Sequence, residues 1–386
     1  MIMKFPDSGT KNSIVIDEIL RFREMDHPYS RILGSMCTVP LQIAKKVYIE
    51  FLDTNLGDPK NFEGTKEIEN RLIGMIKDLF DAPLNSAGQI TSGGSEGNIV
   101  SISIAKTLTG KKELIVPDHA HFSFKKISKL MDIRLKPVKT SPTHIVDPKD
   151  VKKSLSNDTL AVVAVAGTTE LGLIDPIREL SELCHEENVF LHIDAAFGGF
   201  VIPFLRELGY DLPELSFSLE GISTISVDAH KMGCSAIPLG ILIAREKRWL
   251  KEIGVETPYV STRIQSTLTG TRSGAPVAAA YAVIRALGKE GYMKIVRDCM
   301  EVTRYAKQRI EDIGLHLITE PVLNVLGVKI VHLDKVVNML SQIGWRVNPI
   351  PRLSCFRIVV MPHVTKQIID EFISDLEKVC KRVGEI

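Results

Sequence analysis

Between Gly88 and about Ala244 short apolar runs alternate with helix-periodic segments, and this alternation constrains the fold more than any other feature of the chain. A Gly-rich loop opens the helix TSGGSEGNIVSISIAKTL; strand ELIVP, helix FSFKKISKLM, strand IRLKPV and a helix starting near Asp147 follow. The strand TLAVVAVAG, the helix IRELSELCHEEN and the strands VFLHID, ISTISVD and LGILIA complete the series. A run such as LAVVAVA is apolar at consecutive positions, so both faces of that strand must be covered. Strands separated by helices join through right-handed crossovers, which predicts an α/β unit around a mainly parallel sheet. IVSISIA alternates like a strand, yet its place directly after the Gly-rich loop predicts helix.

The flanks differ. Before Asn55, DEILRFREM and LQIAKKVYIEFLDTN carry apolar residues at helical spacing, a helical arm whose stripes have no obvious partner in their own chain. TKEIENRLIGMIKDLF then places Ile68, Leu72, Ile73, Ile76, Leu79 and Phe80 on a core-facing stripe. After Gly270 a long helical stretch, broken at Gly288, leads to LNVLGVKIV, helix DKVVNMLSQIG, strand FRIVVMP and a last helix, a separate α+β unit. The chain of 386 residues suits two or three structural units. The expected division is an arm over 1–55, a large α/β domain over 56–290 and a small α+β domain over 291–386.

Lys plus Arg number 48 against 47 Asp plus Glu, so no basic field exists to hold nucleic acid or an anionic membrane. The expected partner is a small molecule. MIMKFPDSGTKN has no basic segment followed by an apolar core, and no apolar run approaches a membrane span, which points to the cytoplasm. The six cysteines are scattered without a metal-type spacing, and Cys234, three residues after Lys231, is assigned to packing.

Four segments at strand ends carry chemistry, where open α/β sheets bind ligands. TSGGSEGN enters a helix, so the N–H groups of Gly94 and Ser95, the Ser95 hydroxyl and the helix dipole make an anion cradle. HAHFSF sets His121 after a strand, HIDAAFGG sets Asp194 before small residues, and SVDAHKMG sets Lys231 after another strand end. Each piece has an ordinary alternative: a turn, a structural histidine, a helix-capping carboxylate, a solvated lysine. Together they match the needs of pyridoxal 5′-phosphate (PLP), an aldehyde with a phosphate tail. It requires an amine to bond covalently, a carboxylate at the ring nitrogen, a flat partner on the ring face and an anion cradle.

The residues resemble the archaeal L-tyrosine/L-aspartate decarboxylases of the group II PLP-dependent decarboxylases, from GSMCTVP and NLGDP through SGGSEGN, AHFSF, AGTTELG, HIDAAFGGFVIPF and SVDAHKMG to GTRSGA and FRIVVMPH. The resemblance implies PLP fold type I, like aspartate aminotransferase: a large domain with a mainly parallel seven-stranded sheet and a smaller C-terminal α+β domain. It also implies a homodimer with each site near the subunit boundary. Lys231 would bond the cofactor, Asp194 would pair the pyridine nitrogen and His121 would stack on the ring. Thr169 would lie beside the phenolic oxygen, while Ser95 and His230 would contact the phosphate. Arg357 would hold the substrate carboxylate, and Tyr259 is a candidate proton donor. Two departures from the family are Ala229, where proline is usual, and Gly97, where alanine is usual.

The implied reaction is α-decarboxylation of L-tyrosine to tyramine, for methanofuran biosynthesis, and/or of L-aspartate to β-alanine, for coenzyme A biosynthesis. Phe122, Phe124, Ser35 and Met36 would form a slot for a phenol, whereas Arg263 or Arg272 would serve a dicarboxylate; the balance leans to tyrosine. The alternatives are glutamate decarboxylation and a carbon–carbon lyase of the sphingosine-phosphate lyase type. A metal-dependent hydrolase using His119, His121, His192, Asp194 and His230 would leave the Gly-rich cradle and Lys231 without a task, so no metal is expected. A nucleotide-binding module without chemistry leaves HIDAAFGG unexplained.

Overall fold

The structure is a computed structural model that describes residues 4–386; Met1–Met3, at the head of the expected arm, lie outside the described residues. Helices α1 (Asn12–Arg23), α2 (Gln42–Glu50) and α3 (Glu63–Leu79) precede strand β1 (Ala87–Thr91). Then come α4 (Gly94–Thr109), β2 (Glu113–Pro117), α5 (Ser123–Met131), β3 (Arg134–Val138), α6 (Pro148–Ser154) and β4 (Thr159–Val165). They are followed by α7 (Ile177–Glu186), β5 (Phe190–Asp194), α8 (Ile202–Glu207), β6 (Ile222–Asp228), β7 (Gly240–Ala244) and α9 (Lys247–Glu252). A two-stranded ribbon, β8 (Val255–Glu256) and β9 (Ile264–Gln265), leads to α10 (Ala275–Asp312). Last are β10 (Val325–Lys329), α11 (Leu333–Gln342), β11 (Asn348–Ile350), β12 (Cys355–Val359) and α12 (Lys366–Val383).

The large sheet has seven strands in the order β1-β7-β6-β5-β4-β2-β3. The pairs from β6 to β3 are parallel, and β7 and β1 add antiparallel at one edge. Both faces are covered. Along β4, Ala161 and Val163 pack with Val100, Ile102 and Ile104 of α4, while Val162 and Ala164 join the cluster of Leu72, Ile76, Val277 and Val283 from α3 and α10. That period of two is the strand's alternation, and covering both faces is why the run is uniformly apolar. IVSISIA is helical: it lies within α4, and its small and apolar residues sit flat on β6.

The small domain is an antiparallel sheet in the order β10-β12-β11 backed by α11 and α12. Helix α10 runs through the boundary expected near 290 and leaves helical geometry only at Gly288, whose φ of 56° suits glycine. The arm differs from its expectation in one respect. Helix α2 does have a partner in its own chain, packing along α10 with Ala44 buried. Residues 32–34 also tie into the small domain, Leu33 and Gly34 donating to Arg346 O at 2.9 Å and Val359 donating to Leu33 O at 2.7 Å. Helix α1 alone buries no residue, leaving Ile16, Ile19, Leu20 and Phe22 exposed. Among the described residues no helix is long and apolar enough to cross a membrane.

Candidate active site

Parallel pairing brings three carboxyl ends side by side: Val165 of β4 pairs with Asp194 of β5, and Asp194 with Ser226 of β6. The loops leaving them, with the turn between β1 and α4, wall a cavity of about 310 Å³. Gly94, Ser95, His121, Thr169, Asp194, His230 and Lys231 all line it. Residues from five separate motifs therefore meet at the place the parallel sheet reserves for a ligand.

The cradle is built by close approach. Gly93 has φ of 150°, a conformation that favours glycine, and a Cβ on Gly94 would stand 2.9 Å from Ala196 Cβ and 3.3 Å from Asp228 Oδ2. Side chains are thus excluded where α4 begins, and its unpaired first-turn amides and positive dipole end stand on the cavity wall. Gly97 has a packing reason as well, because a Cβ there would come within 3.1 Å of Ser226 Cβ. Ala229 donates its backbone N–H to Leu239 O at 3.1 Å, a bond that proline would remove.

Lys231 Nζ lies 3.1 Å from Asp228 Oδ2. The other Asp228 oxygen is buried without a partner. His230 donates from Nδ1 to Leu239 O at 2.7 Å, which turns its Nε2 edge toward Gly93. His121 Nδ1 accepts from the Ser123 N–H at 3.2 Å, and burial holds its pKa below the ordinary histidine range against the opposing pull of Asp194. Asp194 is 5% exposed and accepts from Asn98 Nδ2 at 2.8 Å and from the Ala196 N–H at 3.1 Å. A buried carboxylate held by two donors, an amine on a second buried acid whose other oxygen lacks a partner, and a glycine-walled helix start fit PLP.

Other expected residues are placed elsewhere. Tyr259 is 89% exposed in the loop between β8 and β9 and does not reach the cavity of its own chain. Arg357 is buried off the cavity wall, donating to Gly34 O at 3.2 Å from Nε and 2.9 Å from Nη2, and to Thr169 O from Nη1. Met36 and Phe122 line the cavity, whereas Phe124 is packed against α4 and Ser35 stands off the wall. Neither loop arginine reaches the cavity: Arg263 is at the surface near Glu256, and Arg272 is paired with buried Glu69 at 2.6 Å. Cys234 is buried, its thiol pushed up to about 12 by burial. The histidines considered as metal ligands are dispersed into separate bonds, His119 to Asp175 at 3.2 Å and His192 to Thr224 and Asn98. Two residues overlooked in the motifs belong to the site, Asp228 in SVDAHKMG and Asn98 in SGGSEGN. Asp228 precedes Lys231 by three residues at a strand end, a signal the sequence did carry.

Residues 63–329 match the family described as the pyridoxal-dependent decarboxylase conserved domain. A probable L-tyrosine/L-aspartate decarboxylase of Methanothermobacter thermautotrophicus is 43% identical over 357 residues, which is 92% of this chain and 98% of its own. The L-aspartate/L-glutamate decarboxylase of Pyrococcus horikoshii is 43% identical over 384 residues, 98% of this chain and 100% of its own. The solved glutamate decarboxylase of Lactobacillus brevis matches with a TM-score of 0.90 at 21% identity, over 100% of this chain and 96% of its own. The sphingosine-1-phosphate lyase of Burkholderia pseudomallei matches at 0.89 and 24% identity, over 99% and 93%. At that identity the likeness is one of fold.

Sheet and small domain have the fold of PLP fold type I, and the matching family model makes the chain a PLP enzyme. The chain belongs to the pyridoxal-dependent decarboxylase family: it is a PLP-dependent amino-acid decarboxylase.

Proposed function

We propose that the enzyme removes the α-carboxyl group of L-tyrosine, L-aspartate or both as CO₂, yielding tyramine for methanofuran or β-alanine for coenzyme A. The convergence of Lys231, Asp194, His121 and the start of α4 on one cavity carries this reading. Lys231 would bond PLP through Nζ, Gly94, Ser95 and His230 would hold its phosphate, and Thr169 its phenolic oxygen. Asp194 would pair the ring nitrogen and His121 would cover the ring face. When bound, PLP supplies the conjugated acceptor for the bond pair left by the departing carboxylate. Asp194, oriented by the donors Asn98 and Ala196, would face the ring nitrogen and favour a proton there. Asp228 Oδ2 receives the Lys231 amine whenever it is not bonded to the cofactor. Arg357 stands off the cavity wall with its Nε–Nη2 edge on Gly34 O, so it would hold the substrate carboxylate only through the N–H groups left on Nη1 and Nη2 beside Thr169, which lines the cavity.

Tyr259 could give a proton only from a second copy. We therefore place the protein in the cytoplasm as a homodimer with its sites near the boundary, the uncovered apolar side of α1 being the surface a partner would bury. A fully active monomer in sedimentation at micromolar concentration would remove this part of the reading. For the substrate, Met36 and Phe122 on the wall favour a phenol slot, while the two relatives described above share aspartate in their names.

Amine and CO₂ release from tyrosine, aspartate and glutamate decides the substrate. Activity on aspartate alone would refute the tyrosine preference, and because Arg263 stands off the cavity Arg263→Ala should leave it unchanged. Borohydride reduction should bleach the yellow enzyme and leave the cofactor on Lys231 in a peptide map, and Lys231→Ala should lose both colour and turnover. Normal turnover in Lys231→Ala would overturn the assignment.

A further inference from the structure

Behind Asp194, on the side away from the cavity, lies a chain of fully buried polar side chains that the assigned roles leave unused. Asn98 and Ser101 come from α4, His192 from β5, and Thr224 and Ser226 from β6; all five are at most 1% exposed. Asn98 Nδ2 donates to Asp194 Oδ2 at 2.8 Å and to Ser123 Oγ at 3.0 Å. Its Oδ1 faces His192 Nε2 at 2.8 Å and accepts from Ser226 Oγ at 3.2 Å. His192 Nδ1 lies 2.9 Å from Thr224 Oγ1, which lies 2.6 Å from Ser101 Oγ.

The direction of every bond follows from one end. An ionised Asp194 only accepts, so the Asn98 amide must turn its NH₂ toward it and its oxygen toward His192. His192 must then carry its proton on Nε2 and donate to Asn98 Oδ1. A neutral imidazole with Nε2 protonated has a bare Nδ1, so Thr224 donates to it. The Thr224 proton being committed, Ser101 donates to Thr224. Burial supports the neutral ring, lowering the His192 pKa to about 4 despite the nearby Asp194 charge. His192 and Asp194 sit two residues apart on β5, hence on one face of the strand, which lets a single α4 residue bridge them.

We propose that Ser101, Thr224, His192 and Asn98 form a one-way hydrogen-bond relay that locks His192 as its neutral Nε2-protonated tautomer and holds Asp194 as an oriented, purely accepting carboxylate. These four are positioning residues, and the catalytic part of the inference rests on Asp194 pairing the cofactor ring. The relay explains why the HID motif couples an imidazole to the aspartate. It also explains why Asn98 is one turn into the cradle helix: α4 then aligns the anion cradle and the ring-nitrogen partner together.

The test uses the full chain labelled with ¹⁵N-histidine, before and after loading with PLP, with His192→Asn used to assign the resonance among ten histidines. His192 should show the neutral Nε2–H pattern from pH 6 to 8, with or without cofactor. Thr224→Val, which keeps shape but removes the donor, should lower kcat by about three- to tenfold with KM within twofold, and Thr224→Ser should restore it. An Nδ1–H tautomer or an imidazolium in that range overturns the relay, as does a Thr224→Val kcat within twofold of the parent. Should His192→Asn not fold, the one histidine nitrogen pair perturbed by Thr224→Val serves for assignment. Because the tautomer is read without cofactor, it stands or falls separately from the Asp194 role, whose own failure would be full activity in Asp194→Asn.

Discussion

Replacing Glu69 with alanine should destabilise the protein by about 3 kcal/mol, at the lower end of the cost of stranding a buried charge. The Glu69 side chain is 3% exposed and that of Arg272 16%. Arg272 Nη1 meets Glu69 Oε1 at 2.6 Å, Lys66 Nζ meets Oε2 at 2.6 Å, and Arg272 Nη2 donates to Leu56 O at 3.0 Å. This cluster ties α3, the end of the arm and the GTRSGA loop together, so removing the acid leaves a mostly desolvated guanidinium with one carbonyl partner, Leu56 O. Its residual exposure keeps the cost from the upper end of the range. With an unfolding entropy that scales with chain length, 3 kcal/mol corresponds to a Tm lower by roughly 4 °C. Burial pushes the Glu69 carboxyl up, but Arg272 and Lys66 outweigh it and hold its pKa below the ordinary glutamate range. The folded-state pKa is therefore depressed, so the stabilisation is present above the unfolded value and disappears as pH falls through the folded one. Calorimetry at neutral pH and near pH 4 should show the Glu69→Ala deficit shrinking in acid. The double variant Glu69→Leu/Arg272→Met should recover most of the loss. A shift under 1 °C, or a double variant as unstable as the sum of its singles, would refute the reasoning.

Asp194→Ala should cost about 3 to 5 kcal/mol of rate if it strands a buried ring cation, a loss of more than a hundredfold; a fall below tenfold in steady-state kcat would return Asp194 to a structural role. Gly94→Ala forces a Cβ to 2.9 Å from Ala196 Cβ, and at about 1 to 3 kcal/mol for overpacking should weaken PLP binding several-fold or more. An unchanged Kd by absorbance titration of the cofactor-free enzyme would show that the cradle tolerates a side chain.

Some of this molecule is legible without coordinates because burial writes itself locally. A strand covered on both faces is apolar at consecutive positions, so TLAVVAVAG reveals itself, while VFLHID and ISTISVD read as strands from their place in the alternation of strands and helices, and polar residues at their ends mark where a parallel sheet opens to ligand. Lys231, Asp194, His121, Ser95 and Thr169 were found this way or through the family resemblance, and all line the cavity. The short strands β1 and β11 escaped because AGQIT and NPI carry glycine or proline and too little apolar pattern to distinguish them from loop.

Partner choice was not legible. Arg272 and Glu69 are 203 residues apart, and the sequence offers Arg272 equally to a substrate; only the packing of α3 against the loop before α10 commits it to Glu69. Tyr259 reads as a candidate proton donor, yet its loop leaves the cavity, and Arg357 reads as a carboxylate clamp while all three of its bonds go to backbone carbonyls. The residue types and their strand-end positions come from local pattern, since hydrophobic periodicity is a property of neighbours along the chain. Which donor meets which acceptor, from Lys231 on Asp228 to the relay behind Asp194, is settled only when the sheet order β7-β6-β5-β4 lays distant segments side by side. Buried polar groups must find partners at that moment, and the partners are those the packing supplies.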